Sequence, residues 1–517
     1  MLYADLVVTG GNVVTLNALG ERASAFAVQN GRFVHVGSDA GAAAFVGPNT
    51  QCLELAGKTV TPGFCDAHLH LAWYGTQLLQ QSDLVGVVNV DELLARLSEH
   101  ARNTTDSGPN SWTQGHGFDQ SKMPGGAFPT RADLDRVSRT RPIVISRICG
   151  HAAVVNSAAL ALVNEAERDA GDPDTGLYTE GDIDAFYRRI PALSESESEE
   201  AVLRAARIAL RTGITSIGTL LDTPEQMGAY ARLHRKGKLP LRVTGMPPYA
   251  SIAALHAHGI GTGFGDNYLR FGGAKFFSDG SLGARTALLD TPYIDEEKPD
   301  NLGIRIYDPD DLKTKMRDAQ EKGFQIVVHA IGDQAVRESL AGILFALGPG
   351  GDNTYHRHRI EHASLLPPHE LEQMAERKIV AVVQPQFVLS DSWTGERVGK
   401  ERAQWAYPFR AMLNAGIPLA LSSDCPVESL DAFACLAAAV GRHPWSPEGG
   451  LTGEEALLAY CVGGAYSLHA DERLGTITPG KHADFVVLSN DPTCLSADAI
   501  RGLNAERVFV GGVSVQN

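Results

Sequence analysis

Six residues far apart in the chain have side chains of the types that hold metal ions and move protons: His68, His70, Lys275, His329, His362 and Asp424. The first two close the stretch Thr61-Pro-Gly-Phe-Cys-Asp-Ala-His-Leu-His70, after an apolar run at 53–60 and a Pro-Gly break. Side chains alternate faces along a strand, so histidines at i and i+2 point the same way and can bind one ion. The other four stand at or near the ends of β-like runs: Gly-Gly-Ala-Lys275, Val-Val-His329, Arg-Ile-Glu-His362 and Leu-Ser-Ser-Asp424. Singly, each has a plainer reading. His-x-His can lie on the wet face of a strand, a lone His329 or His362 is commonly a satisfied core histidine, a lone lysine snorkels, and Asp424 before Cys-Pro can begin a turn. Jointly, at successive strand ends, they read as a metal site. Mixed imidazole and carboxylate donors suit zinc, with iron or manganese as alternatives.

Only a fold that brings distant strand ends together can assemble such a site. Eight β-like runs, at 64–70, 214–219, 241–245, 272–277, 325–330, 359–362, 379–384 and 418–423, alternate with helical patterns such as 199–211, 309–322, 334–345 and 367–377. This alternation predicts an α/β fold, a (β/α)8 barrel over 61–473 with its active site at the carboxyl ends of the strands. The stretch at about 85–193 has its own β-like pieces (112–118, 142–148, 177–180) and reads as an insertion after the first strand, placed over the barrel mouth. The acidic, serine-rich run 194–200 reads as a solvated loop opening a helix. Short β segments punctuated by Gly and Pro fill 1–60, where the one helical stretch is 40–45, and return at 474–517. Each set is too small to bury a core alone, which predicts a discontinuous β-sandwich made by both chain ends.

At 517 residues, 44% apolar and 21% charged, the chain has the composition of a globular protein with a large core. A formal charge of -16 argues against a nucleic-acid surface or an anionic membrane. No apolar run approaches the roughly 18 residues that span a bilayer, and the N-terminus lacks a signal pattern, so the expected setting is cytoplasmic; these features name no partner. Seven scattered cysteines (52, 65, 149, 425, 435, 461 and 494) fit reduced thiols.

Together with Lys275-Phe-Phe-Ser-Asp-Gly-Ser-Leu-Gly-Ala-Arg-Thr-Ala287, His329-Ala-Ile-Gly-Asp-Gln-Ala335, Gly117-Phe-Asp-Gln120 and Gly150-His-Ala-Ala-Val-Val-Asn156, the six residues make the chain resemble the amidohydrolase superfamily of metal-dependent hydrolases. More narrowly it resembles the amidohydrolase 3 group that includes N-substituted formamide deformylases. The resemblance covers nearly the whole chain. It implies two divalent ions: one on His68 and His70 with Asp424, one on His329 and His362, bridged by an N6-carboxylated Lys275. Without that carboxylation, a mononuclear site on His68, His70, Asp424 and a third histidine is the alternative. It implies attack of a metal-bound hydroxide on a carbon–nitrogen bond other than a peptide bond, Asp424 serving as general base and then acid. The implied partner is a small-molecule substrate, an N-substituted formamide or other N-acyl amine. Lactam or carbamate hydrolysis, or isomerisation at the same site, is the alternative reaction, and a non-enzymatic scaffold would not need all six residues. Family habit implies a homodimer. His151, Asn156 and Arg285 are candidate substrate contacts, each with an equally good structural reading; Trp73 and Tyr74 are candidates to line the pocket, although aromatics are more often simply packed; and Asp279 and Asp333 are candidate partners of the metal ligands. Glu361 precedes His362 and, by strand alternation, is expected to face away from the site.

Overall fold

The computed structural model describes residues 3–515 except 104–110, 149–151, 222, 295–299, 443 and 446–448. All eight expected runs form strands: Phe64–Leu69, Ile214–Leu220, Arg242–Met246, Ala274–Phe277, Ile326–Ala330, Arg359–His362, Val380–Val383 and Leu419–Leu421. Their Val, Ile and Ala content suits strands covered on both faces, and every residue of Ile214–Leu220 and Val380–Val383 is buried. Parallel ladders join them as two sheets. The first runs Leu269–Phe271, Arg242–Met246, Ile214–Leu220, Phe64–Leu69, and the second runs from Ala274–Phe277 through to Leu419–Leu421 in chain order. Leu269–Phe271 is an extra edge strand, three residues long and closed by Gly272 and Gly273, too short for a periodic signal.

Backbone hydrogen bonds cross between these sheets at two places. Lys275 N donates to Pro247 O at 2.8 Å; Asp424 N donates to His68 O at 2.9 Å and His70 N to Cys425 O at 2.8 Å. The second crossing joins the His-x-His strand to the strand that leads into Asp424. A helical segment lies directly on both strands, where a Cβ at Gly463 would meet Leu419 O at 2.0 Å and one at Gly464 would meet Cys65 O at 2.4 Å. Only glycine permits that approach.

The helices Glu195–Arg211, Pro309–Glu321, Asp333–Leu347 and Pro368–Glu376 alternate with the strands, giving a mixed α/β fold. The run 194–200 differs from expectation. It is helix from Glu195, because Ser194 and Glu197 cap each other: Glu197 N donates to Ser194 Oγ at 3.3 Å and Ser194 N to Glu197 Oε2 at 2.8 Å.

Strands from the two chain ends pair. Thr59–Pro62 runs antiparallel to Phe485–Leu488 inside a six-stranded sheet that also holds Ala505–Val510, and Leu6–Thr9, Ala25–Gln29, Arg32–Gly37 and Gln51–Glu54 form a four-stranded sheet. Phe26, Phe33 and Val28 of the four-stranded sheet share one apolar cluster with Val60, Phe485 and Phe509 of the six-stranded one, with Phe26 edge-on to Phe485 at 4.9 Å. The helix expected at 40–45 spans Asp39–Ala43, capped by Ser38.

The chain divides into two compact units, one of residues 72–205 and one of the remainder. The 72–205 unit, wider than the stretch 85–193, is built on the sheet Leu177–Thr179, Ala152–Val155, Ile143–Arg147, Thr113–Phe118, Gln81–Asp83, covered by Val90–Asn103. The described cysteines are free thiols, and Cys149 lies outside the described residues. Among the described residues no helix is long and apolar enough to cross a membrane.

Candidate metal centre

His68, His362 and Asp424 each offer a ligand atom within 4.8 Å of the others, and all three are buried. His68 Nε2 lies 3.2 Å and His70 Nε2 3.5 Å from Asp424 Oδ1. The His68 and His362 rings are 5.2 Å apart, centre to centre, and those of His362 and His329 4.4 Å. Lys275 is 4% exposed, with Nζ over the Phe277 ring at 4.6 Å, and its strand pairs with that of His329 so that Phe277 stands opposite His329. The structure therefore gathers five of the six candidates around Asp424 or its immediate neighbours, and brings Lys275 close enough for its charge to act on His362 and Glu361.

Backbone strain concentrates here. Asp424 has φ 57° and His362 φ 72°, left-handed values that cost an ordinary residue about 1–2 kcal/mol. The strain turns each side chain off the end of its strand. Asp424 N is anchored on His68 O, which fixes the backbone of the aspartate beside that of the histidine.

Three of the imidazoles have a fixed rear partner. His68 Nδ1 donates to Glu361, His362 Nδ1 bonds Gln384 Oε1 at 2.7 Å, and His329 Nε2 bonds Gly280 O at 2.9 Å. For His68 and His362 this leaves Nε2 as the ring nitrogen turned towards the site, that of His68 facing Asp424, and a second partner behind the ring is the arrangement typical of metal-bound histidine. Glu361 thus departs from the expectation that it faces away. Arg359 and Glu361 share a face by alternation and both point inward. It is His362, at φ 72°, that leaves the extended pattern. Arg359 is fully buried and braces Glu361, Nε to Oε1 at 2.7 Å, while its Nη2 donates to Ala67 O at 2.9 Å.

The electrostatics prepare ligands. Burial opposes ionisation of Glu361, but the charges of Arg359 and His68 pull its carboxyl down to about 2. Burial likewise opposes charge on Asp424, yet hydrogen bonds from His68 and His70 hold it well below the usual carboxylate range. Burial and the neighbouring His329 push His362 well below the usual histidine value. An ionised carboxylate beside a neutral imidazole is the protonation state that a divalent ion requires.

Asp66 is a residue that sequence reasoning passed over. It accepts from Ser423 N at 3.0 Å, His68 N at 3.3 Å and Tyr460 Oη at 3.1 Å, tying the two ligand strands together, and burial raises it to about 7. Its place two residues before His68, on the same strand face, was the available signal. Asp279 accepts N–H groups from Leu288, Ile331 and Gly332 at 2.8–3.1 Å and lies 3.4 Å from His329 Nε2. Asp333 does not orient a ligand; it accepts from Asp290 N and Gln334 N at the start of a helix. Asn156 is likewise structural. It accepts from Ile143 N at 2.9 Å and Ala159 N at 3.0 Å and donates to Ser138 O and Arg141 O. Arg285 sits in a turn at φ 56°, with its N–H on Leu282 O. Trp73 and Tyr74 lie on the helix Leu71–Gln80, in the unit 72–205, and His151 lies outside the described residues.

A mixed α/β chain with buried histidines and an ionised aspartate gathered at the carboxyl ends of parallel strands has the framework of a metal-dependent hydrolase. Residues 51–516 match the model of the amidohydrolase family, and the chain belongs to that family: it is a metal-dependent hydrolase of carbon–nitrogen bonds acting on small molecules. It is 31% identical over 521 residues to protein LONG AFTER FAR-RED 3 of Arabidopsis thaliana, covering 95% of this chain and 88% of that protein. It is 27% identical over 548 residues to the N-substituted formamide deformylase of Arthrobacter pascens, covering 98% of each. The crystal structure of an uncharacterized metal-dependent hydrolase from Pyrococcus furiosus aligns with a TM-score of 0.82 at 32% identity, over 94% of this chain and 99% of that one.

Proposed function

We propose that this chain hydrolyses an N-substituted formamide or a related N-acyl amine at a divalent-metal site formed by His68, His70, Lys275, His329, His362 and Asp424. The observation that carries the reading is the buried, ionised Asp424 carboxylate within 3.5 Å of two imidazole Nε2 atoms. The donor set fits a metal: three imidazoles with a rear nitrogen engaged, one carboxylate held charged, and little exposure to solvent. It suits two zinc ions, with iron or manganese as substitutes. Lys275, buried beside these ligands, completes the set as a carbamate, the bidentate carboxylate that CO2 forms on an uncharged amine. When bound, the ions supply Lewis acidity that makes water nucleophilic near neutral pH and polarises the scissile carbonyl.

The protein's own groups then do three things. Glu361 and Gln384 hold His68 and His362 in one tautomer and one orientation. Asp424 takes the proton of the attacking water on its carboxylate oxygen and gives it to the leaving nitrogen as the carbon–nitrogen bond breaks, releasing a carboxylic acid and a free amine. The surrounding apolar strands exclude bulk water. The framework we assign is a (β/α)8 barrel over 61–473, carrying the insertion 85–193, with a β-sandwich from 1–60 and 474–517. The two hydrogen-bonded crossings and the apolar cluster shared by the terminal sheets support that assignment.

The test is release of free amine from a panel of N-formyl, N-acetyl, lactam and carbamate compounds, with and without a metal chelator. Chelator-sensitive turnover of N-formyl compounds is expected. Turnover confined to lactams or carbamates would transfer the assignment to those bonds, and no turnover by metal-loaded protein would overturn it.

A further inference from the structure

Arg242, Arg270 and Arg473 line one small cleft together with Asn267, Thr244 and His482. Arg242 opens the strand Arg242–Met246, so the cleft lies at the amino end of the parallel strands, opposite the carboxyl ends that carry the candidate metal centre. Shared acceptors draw the three guanidinium groups together. Arg270 Nη1 and Arg473 Nη2 both donate to His469 O, at 3.0 and 3.5 Å. Arg242 Nη1 donates to Asn267 O at 2.8 Å and Arg473 Nη1 to Asn267 Oδ1 at 3.5 Å.

Among the described residues, hydrogen-bonded carboxylates are fewer than the guanidinium groups. Asp484 takes both Nε and Nη2 of Arg242, at 2.6 and 2.8 Å. Among the described residues, no hydrogen-bonded carboxylate accompanies Arg270 or Arg473; Glu472 and Asp471 lie near enough for Arg473 to feel their charge, Asp266 acts on Arg242 from a distance, and Arg32 adds further positive charge. Arg270 and Arg473 are thus cations held by carbonyl and amide oxygens, with carboxylates near them but none hydrogen-bonded to them. Two nitrogens at the cleft, Arg270 Nε and His482 Nε2, are buried and make no hydrogen bond, and His482 is only 9% exposed. A buried donor left unmade costs about 1–3 kcal/mol, so the arrangement is one that a bound acceptor would relieve. Burial and the neighbouring Arg473 push Arg270 down to about 10, which leaves it cationic at neutral pH.

We propose that this cleft binds a small inorganic anion, of the size of phosphate, sulfate or a halide. Such an ion accepts from Arg270 Nε, Arg473 and His482 at once, which is charge-assisted hydrogen bonding of the strongest kind, and it joins the strand Arg242–Met246 to the segment leading into the C-terminal strands. The ion therefore acts on stability and is no part of the hydrolysis.

Equilibrium dialysis of the purified, metal-loaded enzyme with labelled phosphate, beside an Arg270→Gln/Arg473→Gln variant, tests the site. The wild type is expected to hold one more phosphate per chain than the variant, or to bind it at least about tenfold more tightly, and phosphate should raise the wild-type melting midpoint saturably. Parallel titration with chloride and sulfate tells which ion class the cleft prefers. Equal stoichiometry in both proteins, or a midpoint that follows ionic strength alone, overturns the proposal. Wild-type protein alone gives a second reading, needed should the variant not fold: phosphate should shield Arg270 and Arg473 from phenylglyoxal, read by peptide mass spectrometry, and unchanged modification overturns the site.

Discussion

Glu361 accepts the Nδ1–H of His68, and neither side chain has more than 1% of its surface exposed. The pair fixes which His68 nitrogen faces Asp424, and Arg359 balances the carboxylate from behind. Replacing Glu361 with Gln should lower divalent-metal affinity about 10–100-fold, measured as metal retained during dialysis against a competing chelator. It should also cost about 3–5 kcal/mol in urea denaturation, because Arg359 is left buried with no balancing charge. Replacing both residues, Arg359→Met with Glu361→Leu, removes that stranded charge; stability should largely return while metal affinity stays low. Wild-type metal affinity in the double variant would show that the pair serves packing alone.

Asp424 is held ionised by its hydrogen bonds to His68 and His70, against the effect of burial. A group in that state can receive a proton only when chemistry drives it, which is what a base close to nascent hydroxide must do. Asp424→Asn keeps size and shape and removes that capacity. It should reduce kcat for amine release about 10²–10⁴-fold while the circular dichroism spectrum and melting midpoint stay near wild type. Undiminished turnover in the variant would exclude Asp424 from the proton path.

The strand ends bearing His68, His70, Lys275, His329, His362 and Asp424 are visible in the sequence because buried parallel strands are short apolar runs, and a polar residue at the end of one stands out. Glu361 and Asp66 are hidden for a related reason. Each lies within a run whose facing depends on where extended backbone stops, and the left-handed turns at His362 and Asp424 cannot be read from residue type. Asn156 shows the opposite error. A polar residue in a motif invites a role in chemistry, yet four hydrogen bonds to its own neighbourhood use the whole side chain. The division into two parallel sheets and the edge strand Leu269–Phe271 arise from backbone hydrogen bonding, to which side-chain periodicity is blind.

Asn156 accordingly gives a control that separates fold from site. Asn156→Ala strands the N–H groups of Ile143 and Ala159 and the carbonyls of Ser138 and Arg141, in a helix-capping position. The expected loss is about 2–4 kcal/mol of stability, seen as a lower urea midpoint, with kcat/KM per folded molecule unchanged. A large change in KM with stability intact would return Asn156 to the substrate-binding set.

His469 offers a stability test that depends on pH and stands apart from the candidate metal centre. Its Nε2 meets His356 O at 3.2 Å, and burial, with the charge of Arg357, pushes the imidazole down to about 4 from 6.5. A histidine whose pKa is lower folded than unfolded takes up its proton more readily in the unfolded chain. Its contribution is therefore complete above pH 6.5 and is lost as pH falls from 6.5 towards 4. Because the side chain is partly exposed, the loss should be about 1 kcal/mol by pH 5. His469 has φ 52°, so His469→Asn is the fitting replacement, since asparagine tolerates the left-handed region. Urea denaturation of both proteins at pH 7.5 and pH 5 isolates the effect: His482, also pushed down to about 4, is present in both and cancels in the difference. The wild-type advantage at pH 7.5 should shrink by about 1 kcal/mol at pH 5, whereas a constant difference would mean that His469 titrates alike in the folded and unfolded chain.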